Sequence, residues 1–210
     1  MVLFWDIRSD RIEPKGGELS MMLHEYALKD QKILFIGRFN KEYWNNRYRA
    51  EQKNYTFVVT GDVTDSLFSE YELALVACDD SQCLTVFSEY QTSVTVEVQR
   101  GTVDECAERL ICVDVGVAGL DIGAVIDVLS GNEPASYYGG LSVEEAKKTV
   151  EQYGPLQGMF MVVHIPETAE METVTEYLAQ VHEGCPNDMS IVWTGYVEKN
   201  AEISLDLFIC

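Results

Sequence analysis

Residues 158–165, Gly-Met-Phe-Met-Val-Val-His-Ile, are apolar at every position except His164. The run is far short of the ~20 apolar residues a membrane helix needs. It lacks the alternation that would leave one side in water, so it reads as a strand covered on both faces. A chain with such a strand must supply helices to cover it. Two amphipathic patterns lie on either side. Val143, Ala146, Val150 and Tyr153 form one helix face, with Ser142 as its cap and Glu145 in the capping-box position. Met171, Val174, Leu178 and Val181 form the other. Segments 189–197 and 202–209 are expected to close the chain as paired strands. In the second of these, Ile203, Leu205, Leu207 and Ile209 point one way and Glu202, Ser204 and Asp206 the other.

The first half is read in the same way. Strands are expected at 2–7, 33–39 and 55–60, and an amphipathic helix runs through Leu19, Met22, Leu23, Tyr26 and Ala27. A helix capped by Thr64 or Asp65 is expected over 66–78. A hairpin follows over 84–98, and then a helix over 102–112. Val94, Val96 and Val98 alternate with Thr95 and Glu97, the mark of a strand with one wet face. The order strand, helix, strand, strand occurs over both 2–60 and 158–209, and Ile-Leu-Phe-Ile-Gly-Arg at 33–38 takes the place of Ile-Val-Trp-Thr-Gly-Tyr at 191–196. Such layouts recur in α/β folds, and shared architecture is the simpler account. The fold class is α/β: two modules of mixed sheets with helices packed on them, residues 1–118 and 119–210.

Charge narrows the function. Asp and Glu number 35 against 15 Lys and Arg, a net charge of −20. Such a surface repels phosphates and anionic lipid, so neither nucleic acid nor membrane is an expected partner. The segment beginning at Met1 has no basic region and meets Asp6 early. It reads as a strand rather than a signal peptide, and the expected location is cytoplasmic. The six cysteines contain no C-x-x-C pair and are expected as free thiols in a reducing compartment. His24, His164 and His182 are scattered, and neither a metal nor a cofactor is expected. No G-x-S-x-G or H-E-x-x-H run is present. The acid pairs Asp79-Asp80 and Glu144-Glu145 are expected as solvated surface. Tyr137-Tyr138 before Gly139-Gly140 could line a ligand cleft, although rings packed on the following helix are the simpler expectation. Tyr43-Trp44-Asn45-Asn46-Arg47-Tyr48-Arg49 joins aromatics to cations in an otherwise acidic chain. Trp44, Arg47 and Tyr48 are candidate interface residues on an exposed insertion over 40–54, against the plainer reading of an ordered surface loop.

Several motifs of the second half carry a resemblance. Gly119-Leu120-Asp121-Ile122-Gly123-Ala124-Val125-Ile126-Asp127-Val128-Leu129 is similar to a loop and helix of the type N-L-D-F-x-D-V-x-x-V-M. Ala135-Ser136-Tyr137-Tyr138-Gly139-Gly140 matches a short strand ending in glycines. The 158–165 strand matches G-x-L-(I/V)-N-I, and 188–197 matches A-x-I-I-W-G-A-x-I. In this order they resemble the C-terminal domain of the FtsZ/tubulin family, over about 119–209. The resemblance implies that Gly119, Leu120 and Asp121 occupy the synergy loop, which in the family acts on the neighbouring subunit's nucleotide. Here Gly119 replaces the family's Asn and Ala124 its second acid, leaving Asp121. The glycine-rich phosphate loop of the family is absent, so no GTP is expected. The implied function is a non-catalytic FtsZ/tubulin-like protein acting by association with a protein partner, an FtsZ-type protein or a second copy of itself, by capping or regulating a filament. The alternative is a small-ligand or nucleotide-binding enzyme whose site the sequence does not expose.

Overall fold

The structure, a computed structural model, describes residues 32–47, 55–58, 70–78, 82–88, 93–111, 122–131, 134–154, 156–186, 189–198 and 202–210. The strands are β1 (Ile33–Ile36), β2 (Tyr55–Val58), β3 (Leu73–Ala77), β4 (Cys83–Ser88), β5 (Ser93–Arg100), β6 (Ala135–Leu141), β7 (Gly158–Pro166), β8 (Ser190–Glu198) and β9 (Ser204–Ile209). The helices are α1 (Lys41–Arg47), α2 (Val103–Ile111), α3 (Ile122–Leu129), α4 (Val143–Gln152) and α5 (Met171–His182). The strands form one mixed sheet in the order β2-β1-β3-β4-β5-β6-β9-β7-β8, and the fold is α/β with helices packed on both faces. Parallel β5 and β6 are hydrogen-bonded neighbours, so the sheet runs across the 118/119 boundary drawn from sequence.

The apolar run at 158–165 is a strand buried at every position of that span. Its parity divides the core. Phe160 and Val162 point to the face that carries Trp44 of α1, Leu110 of α2 and Val125, Ile126 and Leu129 of α3. Met159, Met161, Val163 and Ile165 point to the opposite face, against Ala146 and Val150 of α4 and Val174 and Val181 of α5. The α4 cap forms as read: Ser142 Oγ accepts from the Glu145 N–H, and the Glu145 carboxylate accepts from the Ser142 N–H.

Four expectations are corrected. Residues 73–77 are the strand β3, not part of a helix. Leu-Ala-Leu-Val-Ala is apolar throughout, and a short apolar run has no period by which to tell the two apart. Between β1 and β4 its backbone finds partners on both sides. Secondly, the last two strands are not paired with each other. β7 lies between them, parallel to β8 and antiparallel to β9. The α5 crossover demands a parallel β7–β8 neighbour, and β9 fills the other edge of β7, where β6 is its second partner. Thirdly, Met171 is exposed, while Val174 and Val181 are buried and Leu178 packs half-buried on the same cluster. Fourthly, Cys78 and Cys83 form a disulfide. They flank the β3–β4 turn, where the Cys78 N–H donates to the Cys83 carbonyl and the Cα atoms stand 5.3 Å apart, within reach of an S–S bond. Cys106, Cys185 and Cys210 are free, and burial raises each of their thiols. The expected strand at 2–7 and helix at 19–27 lie outside the described residues.

The shared order of elements does not extend to pairing. β1, with 33–36, lies between β2 and β3, whereas β8, with 191–196, has β7 as its described neighbour.

Burial predicts unequal costs along the second core. Leu207→Ala, at a fully buried position, should cost about 2–5 kcal/mol, and Leu178→Ala, half-buried, distinctly less. Chemical denaturation of both variants checks this, and equal costs would mean that the α5 face is misassigned.

Candidate functional site

Strand parity turns three polar residues of β7, β8 and β9 towards α2. His164 is two residues on from Val162 and shares its face. Asp206 lies on the same side as Phe208, and Glu198 on the same side as Tyr196. His164 Nδ1 is 2.8 Å from Glu198 Oε1, and Nε2 is 2.9 Å from Asp206 Oδ2. Ionised carboxylates only accept, so both ring nitrogens donate and the ring is an imidazolium. Burial opposes this charge. The hydrogen bonds to Asp206 and Glu198, with the Asp206 charge behind them, outweigh it and lift His164 from 6.5 to about 9.

Asp206 also accepts from Arg109 Nε at 2.6 Å, and through Oδ1 from the Gly140 N–H at 2.7 Å. Burial alone would raise its carboxyl. The hydrogen bond and charge of His164, the Arg109 charge and the Gly140 donor together hold it below 3.8. Arg109 Nη1 lies 3.5 Å from Glu108 Oε2, and Tyr43 Oη donates to the same Glu108 oxygen at 2.6 Å. The result is an alternating string, Glu198–His164–Asp206–Arg109–Glu108, drawn from three strands and α2, with Tyr43 of α1 bonded to its last member. Glu108, Arg109, His164 and Asp206 are all buried. Burying ions is costly, and partners that alternate in sign are what make it tolerable.

Above the string opens a polar cleft of about 490 Å³. Arg100 and Gly101, where β5 ends, form one wall, with Glu105 and Arg109 of α2. Tyr137, Gly139 and Gly140 of β6 form another, and His164, Ser204 and Asp206 form the floor. The pairing register shifts on both sides of β6, between Val98 and Arg100 and between Tyr138 and Leu141. Such irregularity re-aims side chains at a sheet end. Gly140 takes φ +62°, and a side chain at Gly139 would strike the Tyr137 hydroxyl at 2.7 Å, so glycines suit both positions. Tyr138 packs on the α4 side as expected of its ring. Tyr137 lies on the other face, against Phe208 at 4.7 Å, and also lines the cleft. Burial, and then the Asp206 charge, raise its phenol. Among the described residues no group of three or more His, Cys, Asp and Glu could hold a metal, and no helix is long and apolar enough to cross a membrane.

Of the residues singled out from sequence, Tyr137, Gly139 and Gly140 line this cleft. Gly119, Leu120, Asp121 and Tyr48 are outside the described residues. Arg47 ends α1. Trp44 is corrected: it is fully buried rather than presented on an exposed insertion. Asn40 Oδ1 accepts from the N–H groups of Glu42 and Tyr43, which starts a helix where a loop was expected. That helix turns Trp44 onto Phe35, 4.6 Å between ring centroids, and its indole N–H donates to Asp104 Oδ1 at 2.6 Å. Asp104 also accepts the Asn40 N–H. Its carboxyl is raised by burial against the pull of these two donors.

No protein-family model and no curated protein matches the chain. Among solved structures it is similar to an empty FtsZ dimer from M. jannaschii, at 23% identity and a TM-score of 0.36, over 50% of this chain and 37% of that one. A mutant FtsZ from the same organism gives 19% and 0.34 over the same shares. The likeness is a weak one of fold, and the chain spans well under half the length of the structures it matches.

Two outcomes follow from the site. The fold keeps a proton on His164 up to about pH 9, whereas the unfolded chain releases it near 6.5. The contribution to stability is therefore complete below 6.5 and is lost as pH rises to about 9. The stability gap between the protein and His164→Gln, measured by denaturation across this range, should narrow, and a constant gap would contradict the imidazolium. Trp44→Phe removes the donor to Asp104 and should cost about 1–3 kcal/mol, also by denaturation. A change within about 0.5 kcal/mol is what a surface residue gives.

Proposed function

We propose that the protein is non-catalytic and acts by association with a protein partner, an FtsZ-type protein or a second copy of itself, by capping or regulating a filament. The observation that supports the first part is the state of the ionisable groups in the cleft. A general base needs a free lone pair within reach of substrate, and both nitrogens of His164 are engaged with carboxylates. Asp206 accepts three donors, which depresses its basicity further. His164 already carries a proton on both nitrogens and Asp206 is held below its usual range, so neither is placed to take a proton near neutral pH.

The choice of partner rests on the sequence resemblance of residues 119–209, with Asp121 as the remaining acid of the synergy-loop motif. A head-to-tail filament has two unlike ends. A chain with the synergy-loop motif and without the phosphate loop would join one end and not be joined in turn. Co-sedimentation with an FtsZ-type protein from the same cell is the test. Substoichiometric amounts should reduce the pelleted partner and its GTPase rate, and Asp121→Lys should weaken the effect. Like charge on an acidic partner would make association stronger as salt rises. Unchanged pelleting and GTPase rate at low and high salt would overturn the reading.

A further inference from the structure

The cleft lies where the chain's winding reverses. β5 and β6 are adjacent and parallel. β5 leads into α2, which packs on the face of Phe160, while β6 leads into α4, which packs on the face of Met161. Two parallel neighbours whose following helices leave to opposite faces part at their carboxyl ends, and in open α/β sheets that crevice is where ligands bind. Here the crevice is open, and Arg100–Gly101 and Gly139–Gly140 mark its two strand ends.

Its hydrogen-bonding balance defines what it would take. The acceptors are occupied. Glu105 accepts from the Thr102 N–H and hydroxyl at the start of α2, Asp206 accepts three donors, and Glu145 and Glu198 lie on Arg100 and His164. Arg109 and Arg100 are charged donors of the lining. Arg109 lines the cleft, and its buried Nη1 has no hydrogen-bond partner, only the 3.5 Å ion pair with Glu108. Arg100, at the mouth, is half exposed, and its contacts are an exposed ion pair to Glu145 and a bond to the Gly140 carbonyl. An exposed pair of this kind is worth little and yields readily to a competitor. Arginine matches the geometry of carboxylate and phosphate. The lining carries three cations, Arg100, Arg109 and His164, and the carboxylates of Glu105 and Asp206, with Glu145, Glu108 and Glu198 paired to the same cations from beside it. We propose that this cleft is a binding site for a small oxyanion, a carboxylate or a phosphate, seated between Arg100 and Arg109 at the ends of β5 and β6. The site binds without chemistry and does not depend on the identity of the protein partner.

The chain has three histidines, so the imidazole resonances of the histidine-labelled full-length protein form a simple spectrum, with His164 assigned through His164→Gln. Succinate, inorganic phosphate and the neutral succinamide are titrated in turn. Saturable movement of the His164 signal, with His182 unmoved, is expected for at least one of the oxyanions and not for succinamide. Which oxyanion acts distinguishes a carboxylate from a phosphate site. Arg100→Gln, at an exposed position, should weaken binding about tenfold or more. Failure of both oxyanions to saturate, an equal response to succinamide, or an unchanged affinity in Arg100→Gln would overturn the proposal.

Discussion

The Asp206 carboxylate joins four elements at one point. It receives Arg109 from α2, His164 from β7 and the backbone of Gly140 from β6, while standing itself on β9. A negative charge at this depth is stable only because those donors replace the water it has lost. The dependence runs both ways. Without Asp206, Arg109 and His164 would be buried cations facing Glu108 and Glu198 alone. The irregular end of β6 would lose the anchor that holds Gly140. Breaking one member of such a set costs more than the set contributes against an apolar replacement. A polar core of this kind therefore specifies an arrangement more than it adds strength: α2 can sit over β7 and β9 only in the register that brings Arg109 to Asp206.

The apolar part of the core is organised around the same strands. Phe160, Phe208 and Tyr137 form a continuous line of rings across β7, β9 and β6. Directly beyond it the polar string begins. The face under α2 and α3 thus changes from aromatic to ionic within two residues on β9, from Phe208 to Asp206, and within four on β7, from Phe160 to His164, and the cleft opens at that change. On the opposite face, methionine and aliphatic residues pack against α4 and α5 without a charged member in the buried cluster. One sheet thus carries a dry core on one side and an ionic site on the other.

Much of this was legible in the sequence, where a local pattern alone determines the outcome. The capping box at Ser142 and Glu145, the alternation of 93–98 and the unbroken apolar run of β7 each follow from local chemistry. β3 was not legible, because Leu73–Ala77 has no period and its strand state is set by neighbours distant in the chain. Asn40 was a readable helix start that the surrounding Asn, Arg and Lys residues obscured, and Trp44 was misplaced as a result. The site itself was the least accessible. His164 stood out only as a polar residue in an apolar strand, and Asp206 as one acid in an alternating strand. Arg109 and Asp206 are separated by 97 positions. No spacing rule links residues that meet only once three strands and a helix are assembled. Tyr137, Gly139 and Gly140 were noticed as a possible cleft wall, and that part of the pattern was local.

The position of β9 has a consequence for the order in which the sheet can be built. Residues 204–209 follow β6, β7 and β8 in the chain, yet they lie between β6 and β7. During synthesis from the N-terminus, β1 to β6 and the β7–α5–β8 unit emerge as separate hydrogen-bonded pieces, each with an open edge where β9 belongs. The strand pairing that links them forms only once residues 204–209 have left the ribosome. Until then Arg109 and His164 lack their shared anion, and two apolar strand edges face solvent or a chaperone. Long-range pairing of this sort is slow and prone to mispairing. The ionic site comes into existence with that pairing, because Asp206 stands on β9.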